Sequence, residues 1–229
     1  VEKKEGKLKG HDDVTIQDLP GIYSLSPYTL EEVVSRQYLV EEKPDVILNI
    51  VDGTNIERNL YLTTQLMELG TPVVLAVNMM DLVRKNGDSI DVKKLAADLG
   101  IATIEISALK NESTMQAAEL AVKAAKARQE IAAPAIFSGE AQAAIDKIEN
   151  LTAGKVDARF AHWYAIKLFE HEERAIATLK PGKDVLAKAK AVREGLESQF
   201  DDDAESIVTS ERYDAIAHIV DETVKRSGK

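Results

Sequence analysis

V-T-I-Q-D-L-P-G, Val14 to Gly21, reads as a short β-strand that ends in a D-x-x-G tetrapeptide, Asp18-Leu19-Pro20-Gly21. In an open α/β sheet the carboxyl edge of the strands is where ligands bind. A carboxylate there can hold a water on Mg²⁺, which keeps several waters and accepts few direct protein ligands. Gly21, with no Cβ, lets its backbone N–H approach a terminal phosphate. D-x-x-G alone equally describes a strand followed by an ordinary Pro-Gly turn, so its meaning depends on what stands at the ends of later strands.

Beyond this stretch the chain alternates strand and helix. Thr29–Val40 is spaced as a helix, and Asp45–Val51 is a near-continuous apolar run, as expected of a parallel strand covered on both faces. Asn55–Leu69 reads as a helix stopped by Gly70 with Pro72 just beyond. Val73–Val77 is a second buried strand, Val92–Leu99 a short helix closed by Gly100, and Ala102–Ile106 another strand. Ser113-x-x-Gln116 is spaced as a capping box, opening an alanine-rich helix to about Arg128. This alternation implies βαβ units and a doubly wound, mainly parallel α/β sheet. From Ser138 onward the apolar spacing is helical, with helices expected over 139–150, 157–178, 183–199 and 204–226. The expected division is 1–130 for the α/β domain, 131–137 for a linker and 138–229 for a small all-α helical domain.

Two further rim elements follow the D-x-x-G. Asn78-Met79-Met80-Asp81 comes directly after the strand 73–77. A carboxylate at that point can accept two hydrogen bonds from adjacent N–H donors on one edge of a planar base. Guanine offers N1–H and its 2-amino group side by side, and adenine does not. The Asn78 amide can bridge to the base or brace the neighbouring loop. Ser107-Ala108-Leu109 follows the strand 102–106, where small residues let a backbone N–H reach the guanine O6. Each element alone is an ordinary polar turn. In this order, each at the end of a predicted parallel strand, they project onto one rim and resemble the third, fourth and fifth signature motifs of the P-loop GTPases.

The resemblance narrows on Val1-Glu2-x-Lys4-x-Gly6, Asp18-Leu-Pro-Gly-Ile-Tyr-Ser-Leu-Ser-Pro27, Asn55-x-Glu57-Arg58-Asn59-Leu60-Tyr61-Leu62-Thr63-x-Gln65 and Asn78-Met-Met-Asp81. These stretches are similar to the ferrous iron transport protein B family, whose members carry a cytosolic GTPase domain, a helical domain that favours GDP binding and a membrane permease. The resemblance covers essentially the whole chain. It implies GTP/GDP and Mg²⁺ as ligands, with Val1 and Glu2 as the tail of the first switch and Asp18, through water, beside Mg²⁺. Asp18 to Gly21 would sit by the γ-phosphate and Ile22 to Arg36 would form the second switch. Asn78 to Asp81 would read guanine, and Ser107 to Leu109 would close over it. The implied location is the cytoplasmic side of a bacterial membrane, with the parent's permease domain as partner and a homo-oligomer as a further possibility.

The chain departs from the family pattern in two places. No G-x-x-x-x-G-K-[ST] occurs in it, and it starts at Val1 without methionine, as a fragment does. That loop supplies the N–H nest and the lysine for the phosphates, so this polypeptide is expected to bind nucleotide weakly and hydrolyse it hardly at all. Lacking the family's first strand and helix, it is expected to leave a sheet edge free to pair with another chain. Where many GTPases place a water-orienting glutamine after D-x-x-G, Ile22 and Tyr23 stand instead, which implies slow hydrolysis.

Other features exclude or weigh little. The net charge of −10 disfavours nucleic acid and anionic lipid as general partners, and zero cysteines rule out disulfides and thiolate chemistry. His171-Glu172-Glu173 beside Glu170 reads as a solvated helix face before it reads as a metal site. Phe160, Trp163, Tyr164 and Phe169 are expected in the helical domain's core, and Arg58 on the surface or near phosphate charge. The competing readings are a soluble GTPase of ribosome or tRNA maturation, disfavoured by acidic charge, and a non-hydrolysing interaction fragment.

Overall fold

The structure, a computed structural model, describes residues 4–127 and 135–228. Val1, Glu2 and linker residues 131–134 lie outside the described residues. In chain order the elements are β1 (Lys4–Leu8), β2 (His11–Asp18), α1 (Leu30–Glu41), β3 (Ile47–Asp52), α2 (Ile56–Glu68), β4 (Val73–Asn78), α3 (Met80–Lys85), β5 (Ser89–Ile90), α4 (Val92–Leu99), β6 (Thr103–Glu105) and α5 (Thr114–Ala127). Then come α6 (Gly139–Thr152), α7 (Ala161–Phe169), α8 (Glu173–Leu179), α9 (Lys183–Phe200), α10 (Ala204–Thr223) and β7 (Val224–Lys225).

The centre is a parallel sheet in the order β3-β4-β6, with Asp52 opposite Asn78 and Val77 opposite Glu105. Residues Val73 to Val77 of β4 are all buried because both faces are covered. Val73, Leu75 and Val77 pack toward α2, while Ala76 meets Ile106 and Ala117 under α5. Thr63 on α2 donates to Asn49 Oδ1 at 2.6 Å, satisfying a polar side chain inside that layer.

The D-x-x-G strand departs from expectation. β2 pairs antiparallel with β1, from Lys4 opposite Asp18 to Leu8 opposite His11, and this hairpin is not hydrogen-bonded to the parallel sheet. The period-2 pattern of Val14 and Ile16 shows a strand but not its partner, and Lys4–Leu8 is the complement adjacent in the chain. Among the described strands, β3 therefore has a neighbour on one side only, and Ile50 on it is 56% exposed.

The second half is helical, with differences in detail. The single helix expected over 157–178 is broken. Asp157 caps a 3₁₀ turn at Ala158–Phe160, α7 ends at Phe169, His171 takes a left-handed φ of 53°, and Glu172 caps α8. Ser113 is not an extended N-cap, for its φ is 59°; the capping box that forms is Thr29 with Glu32 at the start of α1. The last helix stops at Thr223, and β7 pairs antiparallel with β5.

The two halves share one core. Phe160, Trp163 and Tyr164, expected inside the helical half, instead cluster with α2, β4 and α4 residues, together with Ile216 and Val220 of α10. Phe169 does lie in the helical half's own cluster, with Ile145, Ile148, Ile166 and Val208. Ion pairs reinforce the junction: Arg36 to Glu172 at 2.6 Å, Lys43 to Asp157 at 2.8 Å and Arg212 to Glu68 at 2.6 Å. Gly70 closes α2 with a φ of 72°, and the Arg159 carbonyl packs where a Cβ would stand.

Candidate functional site

β4 and β6 end side by side, and their loops interlock. Asp81 Oδ1 accepts a hydrogen bond from the Ser107 hydroxyl at 3.0 Å, and Asn78 Oδ1 accepts from the Ala108 N–H at 2.9 Å. Met80 N donates to the Ile106 carbonyl at 3.3 Å. Ser107 is buried, and its backbone exchanges two hydrogen bonds with Glu112, closing the loop that carries Ala108 and Leu109. Met79 takes a left-handed φ of 62°, turning the chain so that α3 starts with Asp81 in its first turn. Leu109 is 92% exposed at the loop's tip.

The charge at Asp81 is well held. Desolvation pushes its carboxyl up, but the Ser107 hydroxyl, the Lys110 ammonium and the Leu82 N–H outweigh this and keep it below the ordinary carboxylate value. Lys110 Nζ stands 3.8 Å from Oδ2, longer than a hydrogen bond. An ionised, fixed carboxylate with acceptor capacity to spare is suited to two adjacent N–H donors. The Asn78 side-chain oxygen is engaged by the Ala108 N–H and so ties the end of β4 to the 107–109 loop.

The rim extends to β3. A Cβ on Gly53, just after Asp52, would lie 2.8 Å from the Asn78 carbonyl, so only glycine lets the β3 and β4 ends approach this closely. Asp52 accepts from Thr54 N at 2.8 Å and Asn59 Oδ1 from Asp52 N at 3.3 Å, fixing the turn into α2.

Asp18, Leu19, Pro20 and Gly21 end the β1–β2 hairpin. Asp18 and Gly21 are exposed, and nothing lies within 4 Å of a Cβ placed on Gly21. The stretch that follows is tied to the rim through α2. Gln65, 4% exposed, accepts from Leu25 N at 2.9 Å and from the Ser24 hydroxyl at 3.1 Å, and Leu25 is fully buried. The Arg58 guanidinium stacks 3.8 Å over the Tyr23 ring. The structure thus brings Asn78, Asp81, Ser107 and Ala108 into one cluster and places Asp18–Gly21 at and just beyond the end of a separately paired strand. Val1 and Glu2 lie outside the described residues.

Sequence reasoning missed Gln65 and Asn59 as the anchors of these turns. Both stand in the N-x-E-R-N-L-Y-L-T-x-Q stretch, where the amide side chains among the apolar residues were the signal available. No group of three or more His, Asp or Glu able to hold a metal occurs among the described residues. Glu172, next to His171, is ion-paired to Arg36. A lone exposed carboxylate such as Asp18 fits Mg²⁺ held mainly by water and phosphate oxygens.

Family models match both halves: ferrous iron transport protein B over residues 1–121, and the FeoB cytosolic helical domain over residues 137–225. The chain is 39% identical over 243 residues to the Fe(2+) transport protein A/Fe(2+) transporter FeoB fusion protein of Porphyromonas gingivalis, covering 100% of this chain and 29% of that protein. It is 32% identical to the Fe(2+) transporter FeoB of Escherichia coli K12, covering 96% of the chain and 28% of the relative. The chain therefore spans under a third of the length of these relatives. Among solved structures, mGMPPNP-bound NFeoB from S. thermophilus superposes with a TM-score of 0.91 at 41% identity, over 100% of this chain and 86% of that one. The same protein bound to GDP.AlF4- and K+ gives 0.91 at 42% identity, over 96% and 85%. A GDP-bound mutant of it gives 0.94 at 41% identity, over 98% and 86%.

Proposed function

The chain belongs to the ferrous iron transport protein B family, and on that footing we propose that it is the guanine-nucleotide-binding module of a bacterial ferrous iron transporter. The observation that carries this reading is the interlocked cluster at the ends of β4 and β6. Asp81 would accept the guanine N1–H and 2-amino group, Asn78 would hold the 107–109 loop against it, and the Ser107–Leu109 backbone would face O6. Adenine presents no such pair of donors on that edge and would leave the Asp81 carboxylate unmatched.

Phosphate chemistry belongs to the other side of the rim. Gly21 N–H would approach the terminal phosphate, and Asp18 would hold a water on Mg²⁺, which would supply charge neutralisation for the phosphates. Neither Ile22 nor Tyr23 supplies the side-chain amide that orients the attacking water in many GTPases, so hydrolysis would be slow. Residues 1–229 contain no G-x-x-x-x-G-K-[ST], so we expect this stretch by itself to bind nucleotide weakly. Val1 and Glu2 are assigned to the first switch by resemblance alone. The division into an α/β domain to about residue 130, a linker 131–137 and a helical domain from 138 is part of the same proposal, as is the parent's permease as partner.

A change in nucleotide state would act on residues 22–36, which the helical half grips directly. Tyr28 donates to Glu205 Oε1 at 2.7 Å, and Arg36 pairs with Glu172 over the Trp163 ring. As part of such a transporter the module would sit at the cytoplasmic face of the membrane; among the described residues no helix is long and apolar enough to cross one. Self-association through the flank of β3 that has no strand partner among the described residues is part of the same proposal. The test is calorimetry with GDP and ADP on the chain and on a version carrying a phosphate-binding loop ahead of Val1. GDP but not ADP should bind the longer protein; equal binding of both would reject the assignment.

A further inference from the structure

The segment that leaves α10 is fastened to the back of the base-reading loop. β7 pairs with β5, Ser89 opposite Lys225 and Ile90 opposite Val224. Asp91 N donates to the Thr223 carbonyl at 2.8 Å. Ser227 N donates to Asp88 Oδ1 at 2.8 Å, and its hydroxyl donates to the Asn86 carbonyl at 2.8 Å. Gly87, at a φ of 78°, makes the turn against which Ser227 packs.

These contacts hold the residues immediately after α3, the helix whose first turn carries Asp81. α3 has only six residues and no side-chain cap at its start. A helix that short is unstable alone and takes its stability from tertiary contacts. Its front is held by Met80 N on the Ile106 carbonyl and by buried Met80 and Val83. Its back runs through Asn86 and Asp88, which bond to the Leu82 and Val83 carbonyls and are themselves gripped by Ser227.

We infer that residues 223–227 form a clamp that positions α3, so that displacement of the chain beyond β7 is passed to the seating of Asp81. Asp88 and Ser227 are positioning residues in this scheme, acting through α3. The link to guanine reading rests on the role proposed for Asp81; the mechanical link does not.

The experiment is amide hydrogen exchange, read by peptide mass spectrometry, on the chain carrying Asp88→Ala with Ser227→Ala. Exchange should rise about tenfold both over 223–227 and within α3, with α1 and α2 unchanged, since local opening follows the bonds lost locally. Asp88→Asn, which keeps the accepting oxygen, should restore the wild-type pattern. Faster exchange at 223–227 with α3 unaltered would overturn the clamp.

Should the double variant unfold globally, Ser89→Cys with Lys225→Cys provides the converse test. Directly opposed residues have Cα atoms about 4.5–5.5 Å apart, within disulfide reach, and the chain has no native cysteine to compete. Oxidation should slow exchange in α3, and no change there would overturn the proposal. Asp81→Asn separates the two readings: if it leaves nucleotide selectivity untouched while the clamp variants still alter α3, the role of Asp81 fails and the clamp stands.

Discussion

Arg212 on α10 donates two hydrogen bonds to Glu68 on α2, Nε to Oε1 at 3.1 Å and Nη2 to Oε2 at 2.6 Å, with the side chains 2% and 0% exposed. The bidentate pair joins the helical half to the α/β half inside their common core. Burial lowers the Arg212 pKa, but the Glu68 carboxylate outweighs it and holds the guanidinium well above its ordinary value. Arg212→Met leaves Glu68 buried and unpaired, and should cost about 3–5 kcal/mol in urea unfolding. Replacing both residues with methionine should recover most of that loss, since an apolar pair of similar volume needs no charge compensation. A double variant as unstable as the single one would contradict this account of the junction.

Gln65 is expected to govern the order of the stretch after D-x-x-G. Gln65→Ala removes the acceptor for the buried Leu25 N–H, which should cost about 1–3 kcal/mol. Amide exchange at residues 24–26 should rise while β4 stays protected. An unaltered Leu25 amide would show that packing, not Gln65, fixes the turn.

The pH dependence of Asp81 has a definite sign. Its folded pKa is lowered, so its contribution is present above the unfolded carboxylate value of roughly 4 and lost as pH falls through the still lower folded value. Preference for GDP over ADP, measured by calorimetry on the loop-bearing chain, should therefore be constant from neutral pH to about 4. Loss of preference between pH 5 and 7 would mean that another group titrates in the base site.

Tyr28 reports the grip of the helical half on the second-switch stretch. The hydrogen bond to Glu205 comes first in pushing its phenol up to about 12, with local desolvation and the Glu205 charge adding to it. Glu205→Gln should bring one tyrosine's spectrophotometric titration down toward the ordinary value. An unchanged titration curve would place Tyr28 free of Glu205 in solution.

The alternation of strands and helices was legible because β3 and β4 are apolar on both faces and α2 and α4 end at Gly70 and Gly100. That Asn78–Asp81 and Ser107–Leu109 would come together was legible too, since each follows a strand of the parallel sheet closely. Pairing was not. β2 reads the same whether its partner is Lys4–Leu8 or a strand of the parallel sheet, because period-2 spacing carries no information on which neighbour forms the ladder. The role of Phe160, Trp163 and Tyr164 was misplaced for a similar reason: aromatic burial is evident from sequence, but which half supplies the opposite wall is not. Single-residue breaks such as His171 at positive φ left no mark in the helical spacing, and Val224–Lys225 is too short a strand to stand out.

In the function proposed, Asp81 reads the guanine 2-amino edge. Xanthine replaces that amino donor with a carbonyl acceptor, and the Asp81→Asn substitution would supply an amide donor in return. Calorimetry of GDP and xanthosine diphosphate should be run on the loop-bearing chain, wild type and Asp81→Asn. The preference should invert: the wild type favours GDP and the variant favours xanthosine diphosphate. Retention of full GDP preference by Asp81→Asn would contradict that role for Asp81.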